Sequence, residues 1–312
     1  MSSSSRRHNI GIELVIDGNT IGIAAALASA ASWSVGALLF SRLGESLSSF
    51  AMTLVKGGVS VLLLGLLTLL LGGFSEIGAQ AYFYLALSGL LGIALSDTFF
   101  FSALKELGPR AIVLLTTIGQ VFTVVLAVIL LGERLPLNGW IGIAFIVSGI
   151  AIGMLPGASG QGRSSSRGIV FGLISVLSMS VSVILIKKGL EGTSTVYATL
   201  IRMLAGTLGM LLMGIVTCRL KKWVTPFRDS RLIWKFFLAV CVVTFGGFWL
   251  TIVAFKYTSV AVANSLISTE PIFIIPLSVI FLKEKLTSRA VAGAVIATTG
   301  VISLCTSGAV AG

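Results

Sequence analysis

Apolar runs of about 20 residues recur along this chain, beginning near residues 21, 50, 81, 111, 138, 168, 196, 236, 261 and 289, with short charged or glycine-bearing breaks between them. A bilayer core about 30 Å thick asks this length of a helix. Lipid offers backbone groups no water to bond, so chains of such runs cross it as helices. The pattern predicts an all-α integral membrane protein with about ten transmembrane helices. Composition agrees: 56% of the 312 residues are hydrophobic and 11% charged, against about 25% charged in a soluble domain, and the mean hydropathy is +1.06. The expected location is a multi-pass protein, in the plasma (inner) membrane if the source is bacterial.

Residues 1–20 read as a polar tail rather than a signal peptide, and they hold the single histidine, His8. Cys218, Cys241 and Cys305 lie far apart without CxxC spacing. A metal site needs several convergent ligands, so no metal, redox role or cofactor is expected. The formal charge of +11 sits at helix ends and in loops, where anionic lipid attracts it; the expected partner is a membrane surface, with no nucleic acid.

Sliding the chain against itself reveals a duplication. An offset of 151 places Ala103 on Ala254, Lys105 on Lys256, Phe122 on Phe273, Glu133 on Glu284, Gly142 on Gly293 and Gly149 on Gly300. Earlier in each copy an offset of 146 places Ser29 on Ser175, Ser32 on Ser178, Thr53 on Thr199 and Lys56 on Arg202. The change of offset marks a longer loop between the second and third spans of the second copy. We read a tail at 1–20, a first five-helix repeat at 21–155, a Gly/Ser-rich linker at 156–167, a second five-helix repeat at 168–307 and a tail at 308–312. Five is odd, so the second copy enters the membrane from the opposite side and the repeats are inverted. Fourteen Lys and Arg follow odd-numbered spans against six on the other side, which places both termini outside by the positive-inside rule.

The stretch "AFKYTSVAVANSLISTEPIFIIPLSVIFLKEKLTSRAVAGAVIATTGVIS", residues 254 to 303, resembles the carboxy-terminal half of an EamA-type member of the drug/metabolite transporter superfamily. "SALKELGPRAIVLLTTIGQVFTVVLAVILLGERLPLNGWIGIAFIVSGI", residues 102 to 150, resembles the same module. The resemblance implies a ten-helix transporter of small metabolites, often an exporter of amino acids or related compounds. The family's usual proline is present as Pro271 in the ninth span, but Gln120 stands at the matching place in the fourth, so unequal bending is expected.

A charge deep in a span costs about 2.5 to 3.5 kcal/mol on insertion scales and persists with a partner or a water-filled cavity. Lys56, Asp97, Arg202 and Glu270 stand at such depth. Lys56 and Arg202 occupy equivalent places, and they either reach out to headgroups or converge on a substrate carboxylate or phosphate, which arginine can hold bidentately. Asp97 and Glu270 have Phe248 and Gly119 as repeat mates, which makes them candidates for a proton-coupling site or a substrate amine. Their alternative role is a packing salt bridge, Lys56 with Asp97 or Arg202 with Glu270. Thr116, Thr117 and Gln120 share one turn of the fourth span, and Asn264 and Ser268 are one turn apart in the ninth. They line a cavity or bond across helices. Trp33 and Trp249 sit inside spans, packing the core or shaping an apolar pocket. The small residues Ser29, Ser32 and Gly36, with their mates Ser175, Ser178 and Ser182, and the glycines at 142, 149, 293 and 300 are expected to let helices approach. Glu133 and Glu284, each at the end of an apolar run, are expected to tie a tight turn by bonding backbone amides or a cation.

These features predict a secondary transporter of small organic metabolites such as amino acids, working by alternating access between the repeats. Protons are a candidate coupling ion, and the protein is read as a monomer or homodimer. The competing readings are efflux of organic cations and a non-transport intramembrane protein. An enzyme is not expected: the chain holds no HExxH, no GxSxG and no Walker-type phosphate loop.

Overall fold

The computed structural model describes residues 18–44, 47–71, 76–107, 109–154, 165–282 and 288–306. Residues 1–17 with His8, residues 307–312, most of the linker and Glu284 lie outside them, and the first helix takes in the last three residues of the expected tail. The described chain is helical, and the spans are Gly18–Leu43, Ser49–Leu70, Ala79–Leu107, Pro109–Leu131, Leu137–Met154, Ser166–Gly189, Thr195–Val216, Ser230–Tyr257, a ninth in two pieces, and Ser288–Thr306. Among the described residues, six are long and apolar enough to cross a membrane by length and composition, and apolar helical stretches of 10–17 residues lie in the other four. Leu62, Leu66, Leu69 and Leu212 are more than half exposed, a surface that suits lipid.

The duplication is visible as repeated chemistry. Ser48 caps the second span by accepting from the Ala51 N–H at 3.2 Å, and Ser194, 146 residues later, caps the seventh by accepting from Tyr197 at 3.2 Å. Lys105 donates to the Leu47 carbonyl at 2.9 Å, and its mate Lys256 donates to the Thr193 carbonyl, the mate of Leu47, also at 2.9 Å. Each lysine ties the end of a third span to the loop before a second one, and satisfies a carbonyl that no helix supplies.

The fifth and tenth spans pack backbone to backbone. A Cβ at Gly149 would fall 2.5 Å from the Gly293 carbonyl oxygen, and one at Gly300 would fall 2.6 Å from that of Gly142. These contacts exchange under the 151-residue offset, as a pseudo-two-fold axis between the two spans requires, and any side chain at these glycines would push the helices apart.

The third and eighth spans each widen into one π-helical stretch, Leu90–Asp97 and Val242–Trp249. Such a bulge adds a residue to a turn and re-aims the side chains after it. The fourth and ninth spans differ. The fourth runs unbroken, whereas the ninth is Val260–Ile267, a turn at Ser268 and Thr269, then Glu270–Leu282. Pro271 therefore stands in the first turn of a new helix, where its missing N–H costs little, instead of loosening a continuous one.

Candidate functional site

Inside the bundle lies a cavity of about 140 Å³ bordered by the first to fourth and sixth to ninth spans. Four ionisable residues line it: Lys56, Asp97, Arg202 and Glu270. Lys56 and Arg202 are each 2% exposed, so neither reaches the headgroups.

Lys56 donates to Asp97 Oδ2 in a buried salt bridge. Its ammonium also lies 4.5 Å from the Phe248 ring centroid and 5.6 Å from that of Phe101, contacts in which the ring face attracts a cation. Asp97 closes the first π-helical stretch and Phe248 is the next-to-last residue of the second. The two bulges thus deliver an acid and an aromatic ring to one lysine.

Arg202 is held differently. Its Nε donates to Ser88 Oγ at 2.9 Å and Nη2 to Ser182 Oγ at 3.3 Å, while Ser182 donates onward to the Ser88 carbonyl at 2.8 Å. Gly92 makes the room: a Cβ there would fall 2.4 Å from Ser182 Oγ and 3.1 Å from Arg202 Nη2. A guanidinium has five N–H donors, and two hydroxyls orient it without neutralising it. Among the described residues no carboxylate lies within ion-pair distance of it.

Glu270 opens the second piece of the ninth span. Its backbone carbonyl accepts from Ser34 Oγ at 2.7 Å, and its side chain borders the cavity with no cation within ion-pair distance among the described residues. The Lys56 with Asp97 pair therefore forms and the Arg202 with Glu270 pair does not. The walls are otherwise largely apolar: Trp33 packs edge-on to Phe248 at 4.7 Å, and Phe100, Val243 and Phe255 continue the lining.

Of the other residues singled out in sequence, Trp33, Thr116, Gln120 and Asn264 border the cavity. Asn264 Nδ2 donates to the Gln120 carbonyl at 3.0 Å and so ties the ninth span to the fourth. The side chains of Thr117 and Pro271 lie outside the described residues. Trp249 points elsewhere: its Nε1 donates to Thr195 Oγ1 at 3.0 Å, and it is not among the residues around the cavity.

Glu133 bonds backbone amides, as expected, but those of another span rather than of its own turn. Its two carboxylate oxygens accept from the Val260 and Ala261 N–H groups, both at 2.8 Å, so an acid from the first repeat caps the ninth span of the second, where a helix N-terminus favours negative charge. The serine face also does more than admit close packing, since Ser182 holds Arg202. Ser88 went unread in sequence, although a buried guanidinium in a membrane demands nearby acceptors and a serine in the third span is one.

A model described as the EamA-like transporter family matches residues 20–155 and again residues 166–306. No curated protein matches the chain. A solved crystal structure of a protein, 19% identical, superposes with a TM-score of 0.71, covering 93% of this chain and 98% of its own; at that identity the likeness is one of fold.

Proposed function

Because this chain belongs to the EamA-like transporter family, we propose that it is a secondary transporter that exports a small zwitterionic metabolite, an amino acid of modest size, by alternating access between its inverted repeats. One observation carries this reading: Asp97 is taken up by its salt bridge to Lys56, and the cavity also holds one cation, Arg202, and one acid, Glu270, with no oppositely charged side chain within ion-pair distance among the described residues. A zwitterion supplies both missing charges, its carboxylate to the guanidinium and its ammonium to Glu270. Thr116 and the fourth and ninth spans that Asn264 joins border the same space.

Size supports the same class. An apolar cavity of about 150 Å³ accepts benzene, and 140 Å³ suits a branched aliphatic side chain better than an indole. An organic cation fits less well, because it would leave Arg202 buried without an anion. The near-equivalence of the two inverted repeats supports alternating access, and the family resemblance supports export.

The test is uptake by proteoliposomes of labelled leucine and of a lipophilic organic cation, each with and without an imposed pH gradient. Leucine should move and Arg202→Ala should abolish its movement while the protein still folds; a response to the gradient would identify protons as the coupling ion. Movement of the cation alone, unaffected by Arg202→Ala, would refute the assignment.

A further inference from the structure

The second repeat carries five residues more than the first between its second and third spans, as the rise in offset from 146 to 151 records. The added chain is ordered as a ledge, Leu220–Val224 followed by a tight turn at Thr225–Arg228. Arg219, Lys221, Lys222, Arg228, Arg231 and Lys235 on and beside it are all exposed. Among the described residues none of them lies within ion-pair distance of a carboxylate. Asp229, the acid in this stretch, is occupied in accepting from the Arg231 backbone N–H at 2.9 Å.

The ledge is fixed from below by aromatic packing. Trp223 is 4% exposed and stacks on Phe50 with centroids 5.2 Å apart and planes at 7°. A Cβ at Gly214 would fall 2.8 Å from its ring. Phe227 meets Phe236 edge-on at 4.8 Å. Val224 and Trp234 instead face outward, 44% and 61% exposed. A rigid shelf at a helix end, with unpaired cations beside an exposed tryptophan, has the chemistry of the membrane interface, where indoles settle at headgroup level and basic residues attract anionic lipid.

We propose that this ledge is a binding site for the headgroups of anionic phospholipids in the leaflet it faces. Charge complementarity selects the occupant: six exposed cations and a single, already engaged acid favour a phosphodiester with net negative charge over a zwitterionic headgroup. The site bears on transport through its floor. Phe50 lies on the span that carries Lys56, and Gly214 on the span that carries Arg202, so a bound headgroup holds the ends of both cation-bearing spans together. The proposal does not depend on which solute the cavity takes.

Native mass spectrometry of the full-length protein, released from mixed micelles holding equal amounts of phosphatidylglycerol and phosphatidylcholine, tests it. The wild type should retain phosphatidylglycerol preferentially, and added sodium chloride should strip that lipid first. The exposed-site variant K221Q/K222Q/R228Q should retain at least about fivefold less phosphatidylglycerol, while R134Q/K188Q, which removes exposed cations from the opposite end of the bundle, should retain it as the wild type does. Equal retention of the two lipids by the wild type, or an equal loss in both variants, would overturn the proposal.

Discussion

Asp97 and Phe248 occupy corresponding positions in the two repeats, and both act on the same ammonium group, that of Lys56: the first by a salt bridge, the second by presenting its ring face at 4.5 Å. Duplication supplied two equivalent positions, and divergence made one an acid and the other an aromatic ring. The cation from the first copy is consequently neutralised within the protein, whereas its mate Arg202 is held by hydroxyls and borders the cavity with no described carboxylate within ion-pair distance.

The Lys56 and Asp97 pair should behave as a buried ion pair. Lys56→Met and Asp97→Asn should each destabilise the protein by about 3 to 5 kcal/mol, because each leaves a charge buried without its partner, while the double variant should recover most of the loss. Thermal unfolding in detergent checks the cycle; additive losses would mean the pair is not coupled.

Glu270→Gln should change selectivity more than it changes folding. With the acid replaced by a neutral amide, uptake of leucine should fall about tenfold or more, the order expected when a buried charge contact is lost, and the deaminated carboxylate analogue should compete better than leucine. Competition uptake in proteoliposomes measures the ratio, and an unchanged ratio would remove Glu270 from substrate binding.

Gly92→Ala probes the space around Arg202. The added methyl group would press on Ser182 Oγ and Arg202 Nη2 and come within 3.1 Å of Ser182 Cβ, so Ser182 would have to turn its hydroxyl off its bonds to Arg202 and the Ser88 carbonyl. We expect weaker substrate affinity, about tenfold, together with a loss of about 1 to 3 kcal/mol of stability from the displaced buried hydrogen bonds; unchanged affinity would separate this space from substrate binding.

Glu133→Ala should free the Val260 and Ala261 N–H groups at the head of the ninth span. The expected cost is about 1 to 2 kcal/mol, the range for a lost helix cap, with faster hydrogen exchange at those two amides, and Glu133→Gln should recover part of it. Unchanged exchange at both positions would separate Glu133 from the cap.

Much of the site was legible in the chain because membrane burial makes charge rare. In a bilayer every deep ionisable residue stands out against its apolar run, so Lys56, Asp97, Arg202 and Glu270 could be named from position alone, and all four border one cavity. Trp249 shows the limit: an indole inside a span is equally consistent with a pocket wall or a distant hydroxyl partner, and its Nε1 reaches Thr195. Polar residues without charge were harder still. Ser182 and Ser88 resemble the many serines that let helices approach, and their contact with Arg202 exists only where three spans meet.

The sequence by itself determined the helices, the duplication and the inversion, since these follow from run length, self-similarity and an odd number of crossings, all properties of the chain read in order. Which charges neutralise each other was decided by the tertiary structure. The chain allows a salt bridge of Lys56 with Asp97 and one of Arg202 with Glu270, and only the first forms; the π-helical stretch ending at Asp97 brings that acid to Lys56, and the break before Glu270 leaves it bordering the cavity. The same is true of Glu133, whose apparent local turn caps a helix 127 residues away. Charge and spacing fix what a residue can bond, and the packing of distant spans fixes what it does bond.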